Sequence, residues 1–259
     1  MTQAVVQLTR RRFGETMRRD AWWIQPLVVF VVLGAFLVYA TWAAFQNAHY
    51  TYGPYLSPFY SPLLFGDPPH AWFGRAPGWL ASISPALLIL PLPGGFRVTC
   101  YYYRGAYYKA FWADPVSCAV GEPRNGYRGE RYLPLVLQNV HRYFLYFALL
   151  ISALNTYDAV MAFRSPTGFG FGLGNVIMVV NVALLWSYTL GCHSCRHITA
   201  GRINHFSRHP VRYWLWQRVS WLNARHMQFA WITLGTLVLT DAYIALVSAG
   251  VIHDLRFVG

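Results

Sequence analysis

The segment GCHSCRHITAGRINHFSRHP, residues 191–210, places Cys192, His193, Cys195 and His197 within six positions. Thiolates and neutral imidazoles bind zinc and iron–sulfur clusters. The other two cysteines, Cys100 and Cys118, stand in separate segments, and His141 opens a further apolar run. A single free cysteine is most simply a small buried hydrophobe. Four of them converging with histidines point instead to a shared metal site. Structural zinc fits the ligand types, and a two-Cys, two-His set also suits a Rieske-type iron–sulfur centre.

Helix geometry narrows the ligand choice. If 192–197 is regular helix, Cys192 and Cys195 point about 60° apart on one face. His193 and His197 then point about 40° apart on nearly the opposite face. One small cluster cannot take both pairs. The expected set is therefore Cys100, Cys118, His193 and His197, with Cys192, Cys195 and His141 in reserve.

The elements that must position these residues are membrane helices. The chain has 259 residues, 56% of them hydrophobic and 12% charged, against about 25% charged in ordinary soluble domains. It is aromatic, with 11 Trp, 18 Tyr and 17 Phe, and its formal net charge is +12. The basic residues lie between long uncharged runs, a pattern that argues against nucleic acid. The polar N-terminal stretch has no short apolar core with a small-residue cleavage site. The run after it is therefore expected to be a retained span.

A bilayer core requires about 20 apolar residues per helix. Five runs qualify, at about 21–45, 78–96, 143–163, 169–193 and 227–251. Pro85, Pro91 and Pro93 should kink or break the second. The expected fold is a single all-α bundle of five transmembrane helices. With the N-terminus inside, segments 1–20, 97–142 and 196–226 carry 18 of the 21 basic residues. Outside remain Arg75, Arg164 and Arg256. That bias sets the N-terminus in the cytoplasm and the C-terminus outside. All four cysteines, His141, His193 and His197 then share the cytoplasmic side, where disulfides are disfavoured. No span centre holds a histidine, which leaves a mid-membrane bis-histidine haem poorly supported.

Asp158 and Asp241 interrupt the third and fifth runs, toward the outer side. Intramembrane carboxylates are costly and usually functional, so they are candidates for a proton path or quinone site, with Asn155 and Asn181 as possible hydrogen-bond partners. The stretch YYYRGAYYKAFW, 101–112, carries Arg104 among aromatics. It reads as an interfacial belt, a docking face or a quinone-pocket wall.

Three stretches carry a family resemblance: GFRVTCYYYRGAYYKAFWADPVSCAVGEP at 95–123, LQNVHRYFLYFALL at 137–150 and CHSCRHITAGRINHFSRHPVRY at 192–213. Together they resemble the membrane anchor of succinate dehydrogenase (complex II), in its actinobacterial three-subunit class. The resemblance spans about 78–245. It implies a plasma-membrane respiratory subunit, docked to a flavoprotein and an iron–sulfur subunit, that serves quinone among membrane lipids. Conventional anchors hold two b-haems on four intramembrane histidines, which this sequence lacks. The resemblance therefore implies a membrane-embedded Rieske-type [2Fe–2S] cluster, whose imidazole ligands raise its potential to about −150 to +300 mV. The alternatives are haem b in the same complex, or a non-enzymatic scaffold with structural zinc.

Overall fold

The computed structural model describes residues 12–66, 69–123, 132, 135–166 and 168–258. Arg10, Arg11, Arg124, Arg128 and Arg131, counted in the charge bias above, lie outside the described residues. Four long helices organise the chain: α1 (Ile24–Gln46), α5 (His141–Met161), α6 (Leu173–Leu190) and α9 (His226–Ser248). Between them run the shorter α2 (Pro85–Ile89), α3 (Pro91–Val98), α4 (Tyr101–Phe111), α7 (His193–Ala200) and α8 (Pro210–Asn223). The four long helices, α5 with the 3₁₀ turn before it, are long and apolar enough to cross a membrane.

Their apolar residues are sorted in the membrane manner. Leu27, Val31, Val38 and Phe45 of α1 are exposed, whereas polar Asn155, Asn181 and Thr240 are buried inside the bundle. Such an outward apolar surface is stable only against lipid or a partner. Asn47 ends α1 in the left-handed conformation, φ 50°, as a C-terminal Asn can. Asn175 accepts a hydrogen bond from the Gly172 N–H at 2.8 Å and so caps the start of α6.

The expected second span has a different construction. Its prolines split it into a 3₁₀ turn (Gly78–Ser82), α2 and α3. Leu90, between α2 and α3, keeps helical dihedrals (φ −55°, ψ −29°). The backbone thus runs on through the break while Pro91 and Pro93 donate no hydrogen bond. Residues 169–172, expected in the fourth span, are instead short strand pieces: Gly168–Phe169 pairs with Arg164–Ser165, and Phe171–Gly172 with Arg256–Val258.

α6 packs against both α5 and α9, and α3 lies on α5. The α3–α5 approach requires glycine, because a Cβ on Gly95 would collide with the ring of Phe144. At the end of the bundle bearing Cys100, here the cysteine end, Phe96, Cys100, Tyr103, Leu145, Tyr188 and Cys192 share one buried cluster. At the opposite end the connection after α1 folds inward. Tyr55, Leu56, Ser57, Tyr60, Ser61 and Leu63 are each at most 1% exposed.

Candidate functional site

Two cysteine–histidine pairs meet at the cysteine end. His141, the first residue of α5, sets Nε2 2.9 Å from Cys192 Sγ. His226, the first residue of α9, sets Nε2 3.4 Å from Cys100 Sγ. Rings join the pairs: Phe96 stacks on His141 at 4.7 Å, Tyr188 stacks on His226 at 4.9 Å, and Phe96 meets Tyr188 edge-on at 5.6 Å. Cys100, Cys192 and His141 are 3%, 1% and 4% exposed.

Local backbone explains why Cys192 faces inward, and corrects the helical-face argument. The helix does not run through 192–197. It stops at Leu190, and Cys192 is extended (φ −63°, ψ 144°) as the N-cap of α7. Its sulfur accepts from the Ser194 N–H at 3.3 Å and is turned toward His141. The break is held by close packing. A Cβ on Gly191 would lie 2.8 Å from Ser187 O and 3.3 Å from His226 Nδ1.

Thr99 sets the tautomer of His141. Its hydroxyl donates to Gly95 O at 2.7 Å and stands 2.9 Å from His141 Nδ1. A hydroxyl has one proton, and the carbonyl can only accept. His141 Nδ1–H therefore donates to Thr99, leaving the Nε2 lone pair aimed at Cys192. Burial pushes the Cys192 thiol up to about 12 and raises that of Cys195 as well. His226 Nδ1 is buried without a hydrogen-bond partner among the described residues.

The other expected histidines and Cys118 make no hydrogen bond to either pair among the described residues, although His193 meets the Tyr101 ring edge-on at 6.4 Å. His193 and His197 are exposed on α7. Cys118 is also exposed. Its segment packs beside the N-terminal segment before α1, where Arg18 donates to Ser117 Oγ at 2.5 Å and to Cys118 O at 3.1 Å. The expected quartet of Cys100, Cys118, His193 and His197 is thus not brought together. Cys195 is half-buried beside the cluster. His226 has no cysteine near it in sequence and is absent from the expected ligand set. The available signal was position: His226 opens the last span as His141 opens the third.

No three His, Cys, Asp or Glu side chains among the described residues form a site for one metal ion. A two-iron cluster has a different requirement, two ligands on each iron. Two buried thiols and two imidazoles, one with an orphaned nitrogen, match that donor set in number and type.

At the opposite end, Asp241 accepts from Tyr39 OH at 2.7 Å and from the Ser57 hydroxyl. Asp158 accepts from the Ser61 hydroxyl. The expected asparagine partners do not serve them: Asn155 donates to Ile151 O at 3.0 Å, and Asn181 Oδ1 has no partner among the described residues. The infolded connection supplies the hydroxyls instead. A cavity of about 320 Å³ between α1, α3 and α5 is apolar except for Arg97, Asn155 and Thr41. Asn155 also borders a void of about 10 Å³ with Asp158 and Asn181. Asp158 in turn lines a cavity of about 1080 Å³ with His70, Trp72, Tyr157 and Arg164. Arg104 lies over the Tyr101 ring at 4.9 Å and borders none of these spaces.

Residues 24–250 match the family described as actinobacterial succinate dehydrogenase subunit SdhC. The chain belongs to that family. It is a subunit of a succinate dehydrogenase complex and a multi-pass membrane anchor. It is also similar to a chain of the Mycobacterium smegmatis Sdh1 complex in the apo form, at 56% identity over 100% of both chains and a TM-score of 0.90. No curated protein matches it. Membership in the SdhC family sets aside the non-enzymatic scaffold.

Proposed function

We propose that this anchor holds a Rieske-type [2Fe–2S] cluster on Cys100, Cys192, His141 and His226 and delivers electrons from succinate oxidation to quinone. The observation that carries the reading is the meeting of two buried cysteine–histidine pairs, drawn from four separate segments, at one end of the bundle. Such a cluster, when bound, accepts and returns one electron at a potential raised by its imidazole ligands. Cys100 and Cys192 would supply thiolates, each giving up its proton on binding. Thr99 keeps the His141 Nδ1 proton in place, so Nε2 remains free to ligate. Phe96, Tyr103 and Tyr188 exclude water.

The basic bias supports a cytoplasmic N-terminus, an outer C-terminus and the proline-broken 78–98 stretch as a fifth crossing. In that orientation the cysteine end meets the flavoprotein and iron–sulfur subunits at the cytoplasmic face of the plasma membrane. The 320 Å³ cavity suits the quinone ring, since it is apolar with few converging polar groups. Asp158 and Asp241 lie beyond it as proton-path groups, with Asn155 bordering both the cavity and the small void beside Asp158.

The test is spectroscopy on the purified complex. The wild type should give a Rieske-type EPR signal on reduction. The double variant His141→Ala/His226→Ala should lose that signal and quinone reduction, while succinate oxidation by a soluble artificial acceptor persists. A normal signal and normal quinone reduction in the double variant would refute the ligand set. A haem Soret band without the EPR signal would point to haem b.

A further inference from the structure

Arg97 is a cation inside the bundle with neutral partners. It donates to Tyr103 OH at 2.8 Å and to Thr233 Oγ1 at 3.2 Å, and no carboxylate accepts from it among the described residues. Its guanidinium carbon stands 4.6 Å over the ring of Tyr188. The His226 ring stacks on that same tyrosine at 4.9 Å. Arg97 therefore sits one aromatic ring away from the Cys100–His226 pair. Tyr188 also meets Phe96, which stacks on His141, so the charge is near both pairs.

A half-buried arginine is costly unless something negative compensates it. The Tyr103 phenol and the Thr233 hydroxyl supply dipoles, and the Tyr188 and Tyr103 faces supply quadrupoles, but none carries charge. A [2Fe–2S] cluster ligated by two thiolates and two neutral imidazoles would be neutral when oxidised and would carry one negative charge when reduced. On reduction it gains one electron, no bond forms or breaks, and its net charge falls by one. That electron comes from succinate through the partner subunits. A fixed cation beside the ligands favours the reduced form, because the surrounding side chains screen it poorly.

We propose that Arg97 is the positioning charge that sets the potential of the centre, favouring its reduced state. This rests on the ligand reading above. The separation of Arg97 from His226 is at most the sum of the two ring distances. A unit charge at that range is worth about a factor of ten in the reduction equilibrium, or about 59 mV for one electron.

The experiment is an EPR-monitored redox titration of the purified complex. Arg97→Gln should lower the midpoint by about that tenfold step, and Arg97→Lys should leave it near the wild-type value. Thr233→Asp, which sets a carboxylate beside the retained arginine, should lower it in the same direction, with Thr233→Asn as the neutral control. Unshifted midpoints in both Arg97→Gln and Thr233→Asp would overturn the proposal. So would loss of the signal in both with Thr233→Asn normal, since Arg97 would then be structural. If the wild type itself gives no such signal, the ligand reading fails first and the role of Arg97 falls with it. A normal wild-type signal with unmoved variants refutes Arg97 alone.

Discussion

Thr99 offers the most exposing test of how the centre is held. Thr99→Val keeps the side-chain shape and removes the acceptor 2.9 Å from His141 Nδ1. Gly95 O loses its side-chain donor but retains the Thr99 backbone N–H at 3.0 Å, so little else changes. The buried Nδ1–H then loses its Thr99 acceptor and keeps only the Phe96 backbone, at a cost of up to about 1.5 kcal/mol. His141 can escape by moving its proton to Nε2, but that blocks the nitrogen aimed at Cys192. Loss of a ligand-orienting partner typically costs about 10–100-fold in metal affinity, or about 1.4–2.8 kcal/mol. The two routes meet at the lower end of that range. The assay is iron retained per flavin when the purified complex is titrated with a chelator. Thr99→Val should release iron at about 10-fold lower chelator concentration, and Thr99→Ser should behave as wild type. A Thr99→Val complex that holds iron as tightly as wild type would show that Thr99 does not orient a ligand.

Cys100→Ser and Cys192→Ser should each abolish the reduced-state EPR signal, whereas Cys118→Ser should keep full iron content; the reverse order would restore the ligand set expected from sequence. Gly174→Ala should cost about 1–3 kcal/mol of overpacking, because the new Cβ would lie 2.5 Å from the Tyr55 ring, and thermal unfolding in detergent should fall accordingly. An unchanged transition there would mean that the connection after α1 does not fold inward. A reporter fused after Gly259 should be active on the outer face only, and cytoplasmic activity would invert the proposed orientation.

The long helices were legible because their runs are apolar and nearly uncharged, a signal that needs no tertiary information. The break of the second run was legible from Pro85, Pro91 and Pro93. The cysteine–histidine cluster was legible by residue type, not by which of those residues meet. Choosing among cysteines required knowing where the helix ends, and Gly191 with extended Cys192 ends it one turn earlier than a regular periodicity implies. His226 gave only its position at the start of the last span, since its cysteine partner is 126 positions away. The burial of Ser57 and Ser61 was illegible for another reason. A polar, aromatic connection between spans reads as surface, and only Asp158 and Asp241 gave a hint that hydroxyls are needed inside.

The four donors come from the start of α4, the start of α5, the start of α7 and the start of α9, in that order along the chain. His226 opens the last long helix. During synthesis, a chain that has threaded only its earlier helices holds three of the four donors and an unclosed stack of rings. With the proposed ligand set, cluster insertion would have to wait until the last helix is in place. Quality control follows from the same order. Under the proposed ligand set an anchor that stalls before α9 would lack one donor, so cluster content would itself report that membrane integration was complete.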